Sequence, residues 1–173
     1  MSGQIKSVIF GSLCAALWVA LFGCATMSVR TAYDSKVDFA DYRIFAWVGV
    51  DRANPPSEWV DKLVRTAVEQ ELMAKGYQKA NGTKADFLVA YDTALEERTV
   101  WQPVITGTGI VALQNVCRYT YREGTLTIDF IDSRSGQAIW RGCAIDMVSD
   151  RSDAERKIKP AVKQILERFP PKQ

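Results

Sequence analysis

Few side chains in this sequence could carry chemistry, because its 173 residues include no histidine. That absence excludes Ser-His-Asp and Cys-His catalysis, histidine general bases and histidine-ligated metal sites. The GxSxG, P-loop, GxGxxG and CxxC motifs are also missing from the sequence. Catalysis would have to rest on carboxylates, lysine, tyrosine or cysteine, and we expect no enzyme activity, no metal and no cofactor.

The acidic residues closest to a catalytic arrangement are Asp92, Glu96 and Glu97, at the end of a predicted strand. They could form an acid/base pair or a weak Ca²⁺ site, but solvated carboxylates are the commoner arrangement. Trp101 could line a surface groove with Asp92 and Glu96, or it could pack on the core as a loop anchor. A carboxylate-based hydrolase would need two acids about 5–9.5 Å apart in a cleft, and the sequence offers no such spacing.

Two further cysteines, Cys117 and Cys143, lie in segments with strand-like patterns. A disulfide between them would require an oxidising compartment and Cα atoms within about 7 Å of each other. Two buried free thiols are the alternative, and the sequence leaves both arrangements open.

The N-terminus has the pattern of a secretory signal. Lys6 precedes an uncharged apolar run, Val8–Phe22, which suits a signal peptide and is short for a membrane span of about 20 residues. The run ends in Leu21-Phe22-Gly23-Cys24. This resembles the lipobox of bacterial lipoproteins, although Phe22 stands where a smaller residue is usual. A thiolate there can take a diacylglycerol group, so the motif predicts lipidation of Cys24 rather than a plain cleaved signal or an uncleaved anchor.

This processing divides the chain into a signal peptide at 1–23, a lipidated tether at 24–28 and a single periplasmic domain at 29–173. Several acyl chains anchor a protein stably because each buried CH₂ contributes roughly 0.8 kcal/mol. Ala25 follows the cysteine where some bacteria use Asp as an inner-membrane retention signal, so we expect the periplasmic face of the outer membrane. The 22 basic and 20 acidic residues are interspersed, which argues against nucleic acid as a partner.

Hydrophobic periodicity predicts an α+β domain. Alternating patterns predict strands at 29–33, 42–48, 86–92 with an extension toward 101, 110–121, 125–132 and 138–148; helical spacing predicts helices at 58–75 and from about 152 to 169. A loop is predicted at Gln102–Gly109, a turn at Glu123-Gly124, and a capping box at Ser152–Glu155. The order of elements predicts a mostly antiparallel sheet with the two helices packed on one face.

The last two predicted strands form a hairpin around Ser133-Arg134-Ser135-Gly136. If Trp140 packs with Ile128, Arg141 lies on the opposite face of the sheet beside Asp129. We therefore predict a structural cross-strand ion pair between Asp129 and Arg141, although a slip of one residue in register would exchange the two faces.

Several short motifs resemble those of a bacterial lipoprotein family grouped as domain of unknown function four-one-three-six. They fall in the family's order and span most of the chain after Cys24. They are Val37-Asp38-Phe39, Tyr42-Arg43-Ile44-Phe45-Ala46-Trp47, Leu72 with Lys75-Gly76-Tyr77, Ala85-Asp86-Phe87-Leu88-Val89 with Tyr91, Glu123-Gly124-Thr125-Leu126, Asp129, Asp132, Trp140-Arg141-Gly142 and Phe169-Pro170-Pro171. The resemblance implies an envelope lipoprotein with a similar α+β fold, and it implies no reaction and no binding residues.

Three classes of function fit the sequence. We favour a structural or interaction lipoprotein, held on the membrane by its lipid, with an envelope protein, peptidoglycan or lipid as its partner. Such a protein should present a surface groove or an exposed apolar patch. An accessory subunit of an envelope transport or assembly complex should instead expose a sheet edge that accepts a partner strand. A carboxylate-based hydrolase is the third class.

Overall fold

One six-stranded sheet and two helices make up the described part of the chain. The structure is a computed structural model that describes residues 27–48, 55–81, 84–106 and 113–171. The elements in chain order are β1 (Ser28–Tyr33), a 3-10 turn (Phe39–Asp41), β2 (Ile44–Trp47), α1 (Glu58–Ala74), β3 (Gln78–Lys79), β4 (Phe87–Thr106), β5 (Leu113–Asp132), β6 (Ala138–Met147) and α2 (Arg151–Leu166).

The sheet is mixed, so the prediction of a mostly antiparallel sheet was wrong. Its strand order is β1-β6-β5-β4-β2-β3. The pairs β1–β6, β6–β5 and β5–β4 are antiparallel, whereas β4–β2 and β2–β3 are parallel. The parallel half follows from α1, because a helix that packs across a sheet returns the chain to the end where the preceding strand began.

β4 and β5 form one long hairpin, which corrects two local predictions. Each strand has 20 residues, and the pairing runs from Phe87 opposite Asp132 to Thr106 opposite Leu113. Residues 102–106 therefore belong to a strand rather than to a loop; the rest of the predicted loop lies outside the described residues. Glu123-Gly124 is not a turn either, because β5 continues through it.

The core lies between one face of the sheet and the inner sides of both helices. Alternate strand residues point into it, including Phe87, Val89, Ile128, Phe130 and Trp140, and all are almost fully buried. The helices contribute Val64, Val68, Leu72, Val162, Ile165 and Leu166 to the same cluster. Phe169, just after α2, packs its ring 4.5 Å from that of Phe130 and closes the end of the core away from the helix N-termini.

The helix ends show how the local sequence sets the boundaries. Gly76 has φ of 91°, which favours glycine. The Gly76 amide donates to Met73 O and the Tyr77 amide to Leu72 O, both at 3.0 Å, which is the Schellman pattern that ends α1. At the start of α2, Asp150 accepts from the Asp153 amide at 2.9 Å. The predicted cap at Ser152 was therefore two residues late.

Pro160 lies inside α2, which continues through it from Arg151 to Leu166. A proline can kink a helix or mark its start, and here the helix starts nine residues earlier, at Arg151. The first half of α2 therefore packs beside α1 and helps to form the site described next.

Candidate functional site

An open apolar cavity lies where the N-terminal parts of both helices meet the middle of the β4–β5 hairpin. Its volume is about 470 Å³. Buried side chains of the sheet and of α2 line its interior, namely Leu126, Ala144 and Ala161. Trp59 and Ile158, from α1 and α2, are partly exposed lining residues. Met27, next to the start of β1, also contacts this space.

Charged side chains surround the opening of the cavity, and several of them form ion pairs with one another. Lys157 Nζ lies 3.4 Å from Asp146 Oδ2 and 3.2 Å from Asp153 Oδ2. Burial lowers the pKa of Lys157, but the hydrogen bond to Asp153 and the charge of Asp146 outweigh it, and the net effect raises the pKa. Lys157 therefore stays cationic and bridges α2 to the end of β6.

Two carboxylates at this end of α2, Asp150 and Asp153, accept hydrogen bonds from backbone amides. Asp150 accepts from the Asp153 amide, and this bond is the main cause that lowers the Asp150 pKa. Asp153 Oδ2 accepts from the Ser149 amide at 3.1 Å, which lowers the Asp153 pKa. Both carboxylates are thereby kept ionised at the positive end of the helix dipole, a stabilising arrangement.

Two arginines at the opening are also fixed in place. The guanidinium of Arg151 lies 4.7 Å from the ring centroid of Trp59, a cation–π contact between the two helices. Arg122 Nη2 donates to Ser149 O at 2.7 Å. An apolar interior with a charged opening suits an apolar chain that carries a polar head, so binding is the chemistry that this arrangement supports.

The predicted groove of Asp92, Glu96 and Trp101 is not formed. Successive residues of a strand point to opposite faces, so Trp101 projects from the other face of β4 than Asp92 and Glu96. Glu96 instead lies 2.9 Å from Arg98 Nη2, and Trp101 lies opposite Arg118 on the neighbouring strand. Trp101 is 65% exposed and therefore does not anchor a loop on the core.

Cys117 and Cys143 are free thiols, the first exposed and the second partly buried. Cys143 lies opposite Thr127, and Thr127 is ten positions from Cys117 along β5. Ten residues of strand span about 33 Å, far beyond the Cα separation of a disulfide. A disulfide between the two within one chain is therefore excluded. The alternative of two buried thiols also fails, because Cys117 is exposed.

Asp129 and Arg141 lie directly opposite each other on β5 and β6. Arg141 Nη2 donates to Asp129 Oδ2 at 2.9 Å, and Arg141 Nε donates to the other oxygen. Trp140 lies opposite Phe130 rather than Ile128 and stacks on its ring at 4.9 Å. Cys24, the predicted lipidation site, lies outside the described residues.

A second polar cluster, around Asp132, was not singled out as a unit by the sequence patterns. Asp132 Oδ1 accepts from the Ser135 amide at 2.6 Å and from the Ser135 hydroxyl at 2.8 Å. These bonds are the largest causes that lower the pKa of Asp132 to about 2. Burial and the hydrogen bond to Asp132 raise the pKa of Tyr42 to about 12. The Asp-x-x-Ser sequence at a turn could have indicated the local bonds, but not the contact with Tyr42.

Within residues 27–48, 55–81, 84–106 and 113–171, no group of three or more acidic or cysteine side chains could hold a metal ion. None of the helices in these ranges is long and apolar enough to cross a membrane. The chemistry of the described part of the chain thus centres on the cavity and on surface contacts.

Comparison with known proteins confirms the resemblance noted in the sequence. The model of the family described as Domain of unknown function (DUF4136) matches residues 29–171. No curated protein matches the chain.

Among solved structures, a PDZ domain protein from Parabacteroides distasonis aligns with a TM-score of 0.60 and 17% identity over 85% of this chain and 37% of that one. The chain thus spans little more than a third of that protein, and the likeness concerns the fold. The PelC dodecamer from Paraburkholderia phytofirmans aligns with a TM-score of 0.46 and 14% identity over 85% of this chain and 99% of that one. A minor lipoprotein from Acinetobacter baumannii aligns with a TM-score of 0.40 and 16% identity over 74% of this chain and 92% of that one.

Proposed function

Because the chain belongs to the family of the domain of unknown function DUF4136, we propose that it is a bacterial envelope lipoprotein with a structural or interaction role and no catalytic one. The Leu21-Phe22-Gly23-Cys24 sequence supplies the anchor, and Cys24 carries the lipid. The protein is held on the periplasmic face of the outer membrane, since Ala25 lacks the charge of an inner-membrane retention signal.

The observation that carries the proposal is the short distance from Cys24 to the folded domain. β1 begins at Ser28, four residues after the cysteine. Four residues of extended chain reach at most about 14 Å. A lipid on Cys24 would therefore hold the domain close to the membrane surface, with little freedom to move away.

The interaction role rests on the apolar cavity, which opens at the same end of the domain. Met27 lines the cavity and lies three residues from Cys24. An apolar cavity with a charged opening, placed beside a lipid anchor, suits a lipid or an apolar segment of an envelope partner.

An accessory role in an envelope complex is a second candidate, favoured by the exposed edge of β1. Among the described strands, β1 pairs with β6 alone, which leaves its outer edge available to a partner strand. Arg168 Nη1 donates to Val29 O at 2.7 Å and so occupies one of its carbonyls. A partner strand would have to displace this contact or pair beside it.

The substitution Cys24→Ala tests the anchor, with Cys14→Ala as the matched control. Cys14 lies inside the apolar run after Leu13, in a poor context for lipidation. We expect wild type and Cys14→Ala to fractionate with the outer membrane after alkaline or high-salt washing, and Cys24→Ala to lose that association. If Cys24→Ala fractionates as wild type does, the proposed anchor is wrong.

A further inference from the structure

Ten residue pairs of the β4–β5 hairpin extend beyond the rest of the sheet. β6 pairs with β5 only as far as Glu123, and β2 pairs with β4 only at 87–89. Residues 97–106 and 113–122, here called the hairpin arm, pair with each other alone among the described strands. Ten residues of strand correspond to about 33 Å, so the arm is comparable in length to the sheet that supports it.

The arm leaves the domain at the end where the tether from Cys24 enters. Ser28 lies opposite Ile145, and Ile145 lies opposite Thr125 on β5. From the level of Thr125, β5 extends a further 12 residues to Leu113, or about 40 Å. The tether reaches at most about 14 Å from Ser28. The arm therefore extends well past the farthest position at which Cys24 can lie.

Apolar and aromatic side chains are exposed on both faces of the arm. Trp101 and Val116 are 65% and 62% exposed on one face, and Tyr119 is 54% exposed on the other, where it stacks on Tyr121. A monomeric soluble protein rarely leaves such side chains grouped in water. Trp and Tyr are the residues enriched at the headgroup level of membranes, because their rings are apolar with a polar edge.

Charge divides the arm into an uncharged outer part and a basic inner part. The described residues 99–106 and 113–117 include no acidic or basic side chain. The arm's charged residues are Arg98, Arg118 and Arg122, with Glu97 as the single acid. Arg98 forms ion pairs with Glu96 and Glu123, which adjoin the arm. Arginines beside an uncharged, aromatic surface can contact anionic lipid headgroups while their carbon chains cover apolar groups.

From these relationships we infer that the hairpin arm docks on the lipid surface to which Cys24 is anchored. The inference rests on the proposed lipid anchor and adds a second membrane contact of defined chemistry. The outer edges of both arm strands carry backbone groups that have no partner among the described strands, and such groups are not tolerated in hydrocarbon. The arm therefore lies among the headgroups, with Trp101 and Val116 inserted to shallow depth and Arg118, on the same face of the arm, on anionic lipids.

Cys117 offers a natural position for a test, because it is the exposed thiol of the arm. The acylated full chain with Cys143→Ser is labelled at Cys117 with an environment-sensitive fluorophore. It is then reconstituted in vesicles of phosphatidylethanolamine with a minority of phosphatidylglycerol. In the matched control, Cys117→Ser and Met73→Cys move the label to the far end of α1, about 21 Å from Trp59 along the helix; Met73 is 59% exposed.

We expect the Cys117 label to emit at shorter wavelength on vesicles and to be quenched by lipids brominated on their acyl chains, while the label at position 73 is unaffected. Adding Trp101→Asp and Val116→Asp should reduce both effects. Equal behaviour of the two labels would overturn the inference. The inference would also be overturned if the label's self-quenching rose with protein density while brominated lipids had no effect. That result would mean that the arms of two copies pair with each other.

The lipid anchor is tested separately: intact mass shows whether the chain is acylated, and flotation shows whether it binds the vesicles. If the chain carries no acyl group, the Cys117 and position 73 labels are compared with excess vesicles on the unacylated chain, in which Cys14→Ser and Cys24→Ser remove the two other thiols. A selective blue shift at Cys117 would then retain the arm contact while the anchor is rejected. No difference between the labels would reject both.

Discussion

The hydroxyl of Tyr42 donates a hydrogen bond of 2.9 Å to Asp132 Oδ2, joining residues 90 positions apart in the chain. Tyr42 precedes β2, and Asp132 ends β5, so the bond connects the parallel half of the sheet to the turn of the β5–β6 hairpin. Asp132 also accepts three bonds from Arg134 and Ser135. One carboxylate thus fixes both the turn and its contact with β2.

The substitution Asp132→Asn should destabilise the protein at neutral pH by about 1 kcal/mol, since hydrogen bonds to a charged acceptor are lost at a partly exposed site. The folded-state pKa of Asp132 is lowered from 3.8 to about 2. Its contribution is therefore present above about pH 4 and is lost as pH falls toward 2. Urea unfolding across this range should show the variant and wild type converging at the acid end. A difference that does not depend on pH would contradict this account.

Gly142 of β6 faces the core, where Ile165 and Trp140 pack against it. We expect Gly142→Ala to destabilise the fold by about 1–3 kcal/mol through overpacking. A Cβ at this position would lie 2.4 Å from both Ile165 Cγ2 and the Trp140 ring. The neighbouring Cys143→Ala, on the other face of the strand, serves as control and should change the free energy of unfolding by about 0.5 kcal/mol or less. Equal effects of the two substitutions in thermal or urea unfolding would show that the core can yield at Gly142.

Filling the cavity should weaken its binding of apolar ligands. Ala154 lines the cavity from α2, so Ala154→Leu adds volume there with a residue that favours helix. We expect lower affinity for a fluorescent fatty acid, measured by titration, than in wild type. Ala74→Leu, at the exposed end of α1, is the control and should bind as wild type does. Unchanged affinity of Ala154→Leu would place the ligand elsewhere.

The Asp129–Arg141 pair should contribute little to stability despite its two hydrogen bonds. The Arg141 side chain is 61% exposed, and exposed ion pairs typically contribute about 0–1 kcal/mol. We expect Arg141→Ala to lower the free energy of unfolding by about 1 kcal/mol or less, with a smaller effect at high salt. A loss of several kcal/mol that salt does not reduce would assign the pair a larger role than this surface position allows.

Local patterns were sufficient for much of the fold. Alternation and helical spacing located both helices and most strands, because each element buries one face of its own sequence. The Asp129–Arg141 facing arrangement could also be anticipated, since the turn between the strands sets their register. The direction of the strands could not be predicted in this way. No feature of residues 42–48 and 86–92 themselves indicates that the connection through α1 makes these two strands parallel.

Two local signals were misleading for physical reasons. Gly124 resembled a turn residue, yet it is a glycine because a Cβ there would lie 2.7 Å from Val148 Cγ2. Pro103 resembled a loop residue, yet proline is tolerated in a strand whose outer edge has no partner. The cavity could not be anticipated, because Leu126, Ala144 and Ala161 look like ordinary core positions and only the packing of three elements leaves a space beside them.

The intact mass of the mature wild-type protein, purified from membranes, shows whether Cys24 is lipidated. We expect a chain that begins at Cys24 and carries the added mass of diacylglycerol, with or without a further acyl chain on its amine. A chain that retains residues 1–23, or one that begins elsewhere without acyl mass, would contradict the lipid anchor.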